Sequence, residues 1–355
     1  MNRLIKVLHI APQNFAGMPM DFVNMQNANH YKARLVTMYP NTLKFPEDIC
    51  LNLNSHTGKY AKKWRDSKID AKVSGLKYYK SKNPIEALYF KLRDLKNTPK
   101  IFSAINHYDL FDYDIYHFDG GMDLFRDLRF ARKIKSLGKK IVCCYFGSDL
   151  RTRGIFKDLD EISDLNLTVE FDHTQLYPGI NYLFFPFDVH QYKIPIRNNS
   201  KIKIIHSPTN RLFKGTDKII EVIREVEAVR QIEFVLVENM DREEVLKIKS
   251  TCDLAIDQVG GIAGGSGYGK NSIENLSMGI PTFVEFSSGY LDFLKENPFI
   301  ACNINNLKER LLQLIDNEQL RRAKINEGRA WAEKYHSYRS VNDKLDLLYY
   351  DNKII

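Results

Sequence analysis

The sequence predicts an α/β protein built from two sets of parallel strands and helices. Three observations carry this. Short, near-continuous apolar runs alternate with amphipathic stretches along the chain, as expected for strands covered on both faces by helices. The alternation comes in two sets, divided near "YKIPIRNNSK" at residues 192–201. The 355 residues exceed what one hydrophobic core usually serves. Two Rossmann-like domains follow, residues 1–195 and 196–330, with a helical tail over 331–355.

In the first set, Arg3–Ile10 reads as a buried strand, followed by the loop "APQNFAGMP" and a helix from near Met20. "YKARLVTMYP" supplies a second strand, and "NPIEALYFKLRDLKN" a helix. "YDIYHFDGG" is a strand and loop, "MDLFRDLRFARKIKSLG" a helix ending at Gly138, and "KKIVCCYFGSDL" and "INYLFFPFDVHQY" further strands. The second set runs "SKIKIIHSPTNRLFKG" (strand, loop), "TDKIIEVIREVEAVR" (helix), "QIEFVLVEN" (strand), "DREEVLKIKST" (helix) and "CDLAIDQVG" (strand). A glycine-rich loop, the helix "KNSIENLSMG" and the strand "IPTFVEF" complete it, and the remainder is helical. Ligands in such folds sit beyond the C-terminal ends of the strands, so the chemistry is sought in those loops.

Apolar residues make up 44% and charged residues 27%, as in soluble globular proteins. No apolar run approaches the roughly 18–20 residues that span a bilayer. "MNRLIKVLHIAP" reads as a first strand rather than a signal peptide, so the chain is expected in the cytosol. The five cysteines lack paired or zinc-type spacing and read as buried free thiols. The net charge of +8 is concentrated. Residues 51–100 hold thirteen Lys or Arg against four Asp or Glu, interleaved with Tyr60, Trp64, Tyr78, Tyr79, Tyr89 and Phe90. This suits an anionic membrane surface or polyanionic acceptor better than nucleic acid. A solvated helical face explains it as well.

Two loops of the second domain point to phosphate. In "HSPTNRLFKGTD", Arg211 and Lys214 precede a helix opened by Gly215 and Thr216, and two cations at free helix amides suit a pyrophosphate. In "GGIAGGSGYGKNSIENLSMGIP", Gly264, Gly269 and Lys270 match a P-loop until Asn271 replaces the required Ser or Thr. Without that hydroxyl for Mg²⁺, an NTPase is disfavoured. Gly267, Tyr268 and Gly269 let the backbone approach a phosphate, with Lys270, Asn271 and Ser272 opening the helix. Glu274, one turn in, is placed to take two ribose hydroxyls or to complement the helix dipole. Glu238, at the end of "QIEFVLVEN", joins the donor-side set.

At the first domain's strand ends, Asn14, Ala16 and Gly17 form the loop after the first strand. His117, Asp119 and Asp149 are the candidate catalytic groups, though a strand-end His is often structural and "GSD" also makes an ordinary turn. "DYD" at Asp112–Asp114 precedes its strand and reads as a turn, so no metal site is expected.

"SPTNRLFKGTD" followed by "CDLAIDQ…GYGKNSIENLSMGIPTFVE" resembles the donor-binding half of GT-B glycosyltransferases, nearest the retaining family-four group. The resemblance covers residues 200–300 well and extends more weakly to "YHFDGG", "YFGSDLR" and "FFPFDV". It implies two domains facing across a cleft, with the tail packing back on the first. It also implies Lys214 on the donor phosphates, Glu274 on the ribose and amides near Gly267–Asn271 on the pyrophosphate. The expected activity moves a sugar from a nucleoside diphosphate sugar to a hydroxyl of a glycan or lipid-linked acceptor. No cofactor or metal is expected, and the protein is expected in the cytosol or at the inner membrane face. The family's first glutamate falls here on Ser266, its strand-end histidine on Phe146, and its usual phosphate arginine on Pro208, with Arg211 nearby. These departures keep open a nucleotide-sugar 2-epimerase or a catalytically silent binding or assembly protein.

Overall fold

The apolar runs pair into two parallel sheets in a computed structural model that describes residues 3–41, 45–53, 75–81, 83–261, 267–294 and 296–355. Ser266, Tyr60 and Trp64, and with them the basic stretch over 54–74, lie outside the described residues. The chain divides into two units. One comprises Met1–Pro186 with Val341–Ile355, the other Phe187–Ser340.

The first unit holds β1 (Ile5–Ala11), β2 (Tyr31–Thr37), β3 (Ile49–Cys50), β4 (Ile115–Asp119), β5 (Lys140–Tyr145), β6 (Leu165–Thr168) and β7 (Asn181–Tyr182). Among the described residues they form one sheet in the order β3-β2-β1-β4-β5-β6-β7, all parallel. The order reverses between β1 and β4, where the connections run off to opposite sides and leave a crevice. Helices α1 (Met18–Asn27), α2 (Pro84–His107), α3 (Arg129–Ser136), α4 (Lys157–Ile162) and α5 (Phe171–Leu176) accompany the sheet. Leu8, Ile10, Tyr116, Phe118, Phe130 and Cys143 fill its core. Asn83 caps α2 by accepting from the Glu86 amide, with Pro84 following it.

In the second unit, β8 (Ile202–His206), β9 (Ile232–Leu236), β10 (Leu254–Gln258), β11 (Thr282–Val284) and β12 (Ile300–Ala301) order as β12-β11-β10-β8-β9. These strands are also parallel. Here the order reverses between β8 and β10. The loops leaving those two strands are the two that the sequence marks as phosphate-binding. Helices α6 (Arg211–Lys214), α7 (Thr216–Glu227), α8 (Arg242–Ser250), α9 (Lys270–Ser277), α10 (Tyr290–Phe293), α11 (Leu307–Asp316) and α12 (Glu318–His336) complete the unit. Ile204, Ile219, Leu254, Ile256, Phe283 and Leu311 form its core. Helix α9 is buried from Ser272 to Ser277. Gly328 of α12 lets it sit close, since a Cβ there would meet Leu276 Cδ2 at 2.9 Å.

The last helix, α13 (Tyr338–Asp351), buries Val341, Leu345, Leu348 and Tyr349. All five cysteines are unpaired and all but Cys50 are buried. No helix among the described residues is long and apolar enough to cross a membrane.

Candidate functional site

The loops after β8 and β10 interlock through their glycines. Gly215 is left-handed (φ 71°) and presses on the neighbouring loop, where a Cβ would meet the Val259 carbonyl oxygen at 1.9 Å. Gly261 answers it, since a Cβ there would meet the Phe213 carbonyl oxygen at 2.0 Å. No side chain other than hydrogen fits at either position. The contact fixes the "LFKG" turn against the start of the glycine-rich loop, and thereby Lys214 beside the N-terminus of α9.

Lys214 reaches the end of β10, donating to Asp257 Oδ1 at 2.6 Å and Gln258 Oε1 at 3.3 Å. Asp257 is buried and accepts further hydrogen bonds from Asn271 Nδ2 at 2.9 Å and Ser272 Oγ at 2.5 Å. Burial pushes its carboxyl up, but the Lys214 charge and these three donors outweigh that and hold its pKa at about 2. Asn271 uses its other end as an acceptor, taking Lys249 Nζ at 2.5 Å and Ser207 Oγ at 3.1 Å. Lys249, 1% exposed, also donates to Glu274 Oε2 at 2.7 Å, and Arg242 donates to Glu274 Oε1 at 2.5 Å. Burial opposes ionisation of Glu274, and the two cations overcome it, so its pKa falls below the usual carboxylate range. Arg242 also donates to the Tyr192 hydroxyl at 3.0 Å.

These contacts join into one chain of groups from Lys214 to Arg242. Three cations face two carboxylates at the N-terminus of a helix whose amides add positive potential. The surplus is positive, which suits an anionic ligand. Asp257, Lys249 and Arg242 were missed by the sequence reading. The signal for Asp257 was an acid inside an otherwise apolar strand, "DLAIDQ"; the two cations gave none.

The other donor-side candidates divide. Arg211 donates to Glu238 Oε2 at 2.6 Å and also pairs with Asp217, so those two predicted residues are brought together. Gly269 precedes α9 in an extended conformation, with nothing within 4 Å of where a Cβ would stand. Gly267 (φ 96°) packs on the Tyr290 ring. Tyr268 stands among Tyr290, Phe299, Trp331 and His336, with its hydroxyl 3.1 Å from His336 Nε2. The Lys270 ammonium lies 6.0 Å from the Phe187 ring centre.

In the first unit, His117 and Asp119 point to the same face of β4, and His9 pairs with His117 across the strands. All three are buried. Asp119 Oδ2 lies 2.8 Å from His9 Nδ1, and Gln26 Oε1 lies 2.9 Å from His9 Nε2. Gln26 donates to the Tyr349 hydroxyl at 3.2 Å, and His117 Nε2 bonds the same hydroxyl. Burial, reinforced by His9, pushes the His117 pKa well down, whereas burial raises that of Asp119. His9, His117 and Asp119 bring ligand-type atoms within 4.8 Å of one another. They are the one such group among the described residues, and the sequence had not singled out His9.

Asp149 is half-buried, and its carboxylate accepts from the amides of Phe146, Gly147 and Leu150 at 2.8–2.9 Å, so it organises the turn after β5. The neighbouring Arg151 pairs with Glu170 and Asp172. Asn14 is buried and ties its loop together, accepting from the Met20 amide at 3.2 Å and donating to the Pro46 carbonyl at 2.6 Å. Ala16 (φ 51°) and Gly17 (φ 73°) are both left-handed, turning the chain into α1.

No family model and no curated protein sequence matches the chain. Solved structures do. HepE of Anabaena, in complex with UDP, is 10% identical, with 98% of this chain and 100% of that chain covered and a TM-score of 0.56. Sucrose-phosphate synthase from Thermosynechococcus elongatus is 10% identical, with 98% of each chain covered and a TM-score of 0.58. TarM is 11% identical, with 98% and 99% covered and a TM-score of 0.57. The likeness runs over the whole chain and is one of fold, the paired Rossmann-like units of GT-B proteins.

Proposed function

We propose that the chain is a glycosyltransferase that moves a sugar from a nucleoside diphosphate sugar to a hydroxyl of a glycan or lipid-linked acceptor, with retention. The observation that carries this reading is the glycine-locked pair of loops at the β8/β10 reversal, which sets Lys214 and the N-terminus of α9 side by side. The diphosphate lies against the α9 amides with Lys214 on its oxygens. Asp257 keeps Asn271 and Ser272 as partners when Lys214 turns to the ligand, so the buried carboxylate stays satisfied. As the sugar–oxygen bond breaks, charge grows on the departing diphosphate. Fixed amides and a lysine stabilise it there without reorganising, and neither a metal nor a cofactor enters this reading. Glu274 takes the ribose hydroxyls on Oε1, where they replace Arg242, while Lys249 holds Oε2. In the first unit Asp149, with His117 and Asp119 behind it, lines the acceptor side together with the Asn14–Gly17 loop. The reaction belongs in the cytosol, and at the inner membrane face if the acceptor is lipid-linked.

The test is a thermal-shift and turnover screen over UDP-, GDP- and ADP-sugars, repeated with Lys214→Ala and Glu274→Gln. Lys214→Ala is expected to weaken donor binding by roughly 10- to 100-fold, the worth of a charged hydrogen bond. A shift that survives both substitutions would put the donor elsewhere. Binding without turnover would make the chain a silent binding or assembly protein, and an epimerised nucleotide sugar as product would make it an epimerase.

A further inference from the structure

Over residues 84–97, helix α2 is inverted in polarity. Its inner side carries Arg93, Asp94 and Asn97, and Asp94 and Asn97 are 7% and 5% exposed. Arg93 and Asp94 are satisfied there: Asp94 accepts from Arg93 at 2.8 Å and from the Arg126 amide at 2.7 Å, and Arg93 reaches the Tyr39 hydroxyl at 3.2 Å. The orientation of the helix is therefore fixed by its polar side. Its outer side carries Ile85, Leu88, Tyr89, Leu92 and Leu95, between 40% and 78% exposed. Their spacing puts them on one stripe, directed away from the core that Ile101, Ala104 and Ile105 enter.

A contiguous apolar stripe left in water marks a surface that something covers, and the charges around it say what. Lys91 and Lys96 stand beside the stripe residues, and both are exposed. None of the exposed residues of α2 is a carboxylate. The sequence around the helix, residues 51–100, carries nine more positive than negative charges. Protein–protein interface cores are depleted of lysine. An apolar stripe rimmed by lysines matches a helix lying in the headgroup layer of an anionic bilayer, with Tyr89 at the depth aromatic rings favour. We propose that the outer face of α2 docks the protein on an anionic lipid surface. This goes beyond the donor-site reading and does not depend on it.

The experiment is flotation of the full chain with phosphatidylcholine vesicles, with and without phosphatidylglycerol, in low and raised salt. The variants are Leu88→Ser/Leu92→Ser and Lys91→Glu/Lys96→Glu. All four side chains are exposed, so melting curves are expected to stay at the wild-type position, and they are recorded beside the flotation. The wild type is expected to float with the anionic vesicles alone and to be released by salt. Each double variant is expected to bind at least about tenfold more weakly. Failure of the wild type to float, or variants that float as well as it does, would overturn the proposal. A wild type that stays off vesicles but dimerises through Leu88 and Leu92, by sedimentation, would overturn it in favour of a second copy of this chain. Nucleotide-sugar binding is not read in this assay, so its outcome is separate from that of the donor site.

Discussion

Asp257 gathers Lys214, Asn271 and Ser272 on one buried carboxylate, and this has a measurable acid signature. Its folded pKa of about 2 lies below the value of ~3.9 expected in the unfolded chain. As pH falls, the unfolded chain takes up the proton first. The stabilisation is complete above about pH 4 and is lost as the pH drops through about 2, and it amounts to about 2 kcal/mol. Urea melts between about pH 5 and pH 2 should show that loss, and Asp257→Asn should flatten it. An acid limb of unchanged depth in the variant would assign it to other carboxylates. Lys249 shows why such groups escape a sequence reading. In "DREEVLKIKST" it is indistinguishable from Lys247 two residues earlier, yet Lys247 is exposed and Lys249 is buried. What separates them is Glu274 and Asn271, more than twenty residues further on, and no local pattern contains that information.

At the scale of elements, the glycines of the two loops divide into those the fold needs and those it does not. Gly215→Ala would drive a methyl into the Val259 carbonyl at a left-handed position. It is expected to cost more than about 2 kcal/mol and to weaken nucleotide binding with it. Gly269→Ala meets open space at an ordinary φ, so its melting temperature should stay within about 1 °C of wild type. If a diphosphate fills the space before α9, that methyl should nevertheless lower nucleotide affinity by roughly tenfold or more. Calorimetric titration beside melting curves reads both quantities, and unchanged affinity in Gly269→Ala would remove the diphosphate from this helix end. The alternation of the longer strands and helices was legible because apolar runs mark those strands and helices such as α9 start where the glycines stop. Strands β3, β6 and β12 were not read, being only two to four residues long, and β12 corrects the expectation that all of the chain after "IPTFVEF" is helical. The inversion of α2 was not. Ile85, Leu88 and Leu92 have the spacing of a core face, and only the partners of Asp94 and Arg93 reveal that the core lies on the other side.

For the whole molecule, the first unit is assembled from two separated stretches of chain. The hydroxyl of Tyr349, on α13, accepts from Gln26 and bonds His117, and Tyr31 bonds Asp346 at 2.5 Å. Tyr349→Phe leaves two buried polar groups short of a partner and should cost about 1–3 kcal/mol. Hydrogen exchange should show the loss in α1 and β4, within the first unit; a loss confined to residues 187–340 would contradict this. The two-unit architecture was visible in the doubled alternation of the sequence. The dependence on Tyr349 was not, because a tyrosine in "DKLDLLYYD" has no local mark of its distant partners. This split has a consequence for the order of synthesis. The second unit is one continuous stretch, Phe187–Ser340, and can close as soon as it clears the ribosome. The first unit must wait, with the pockets for Val341, Leu345 and Tyr349 unfilled, until residues 341–355 have followed the second. The first unit is then completed after the second, and chaperone engagement of nascent chains should concentrate on it.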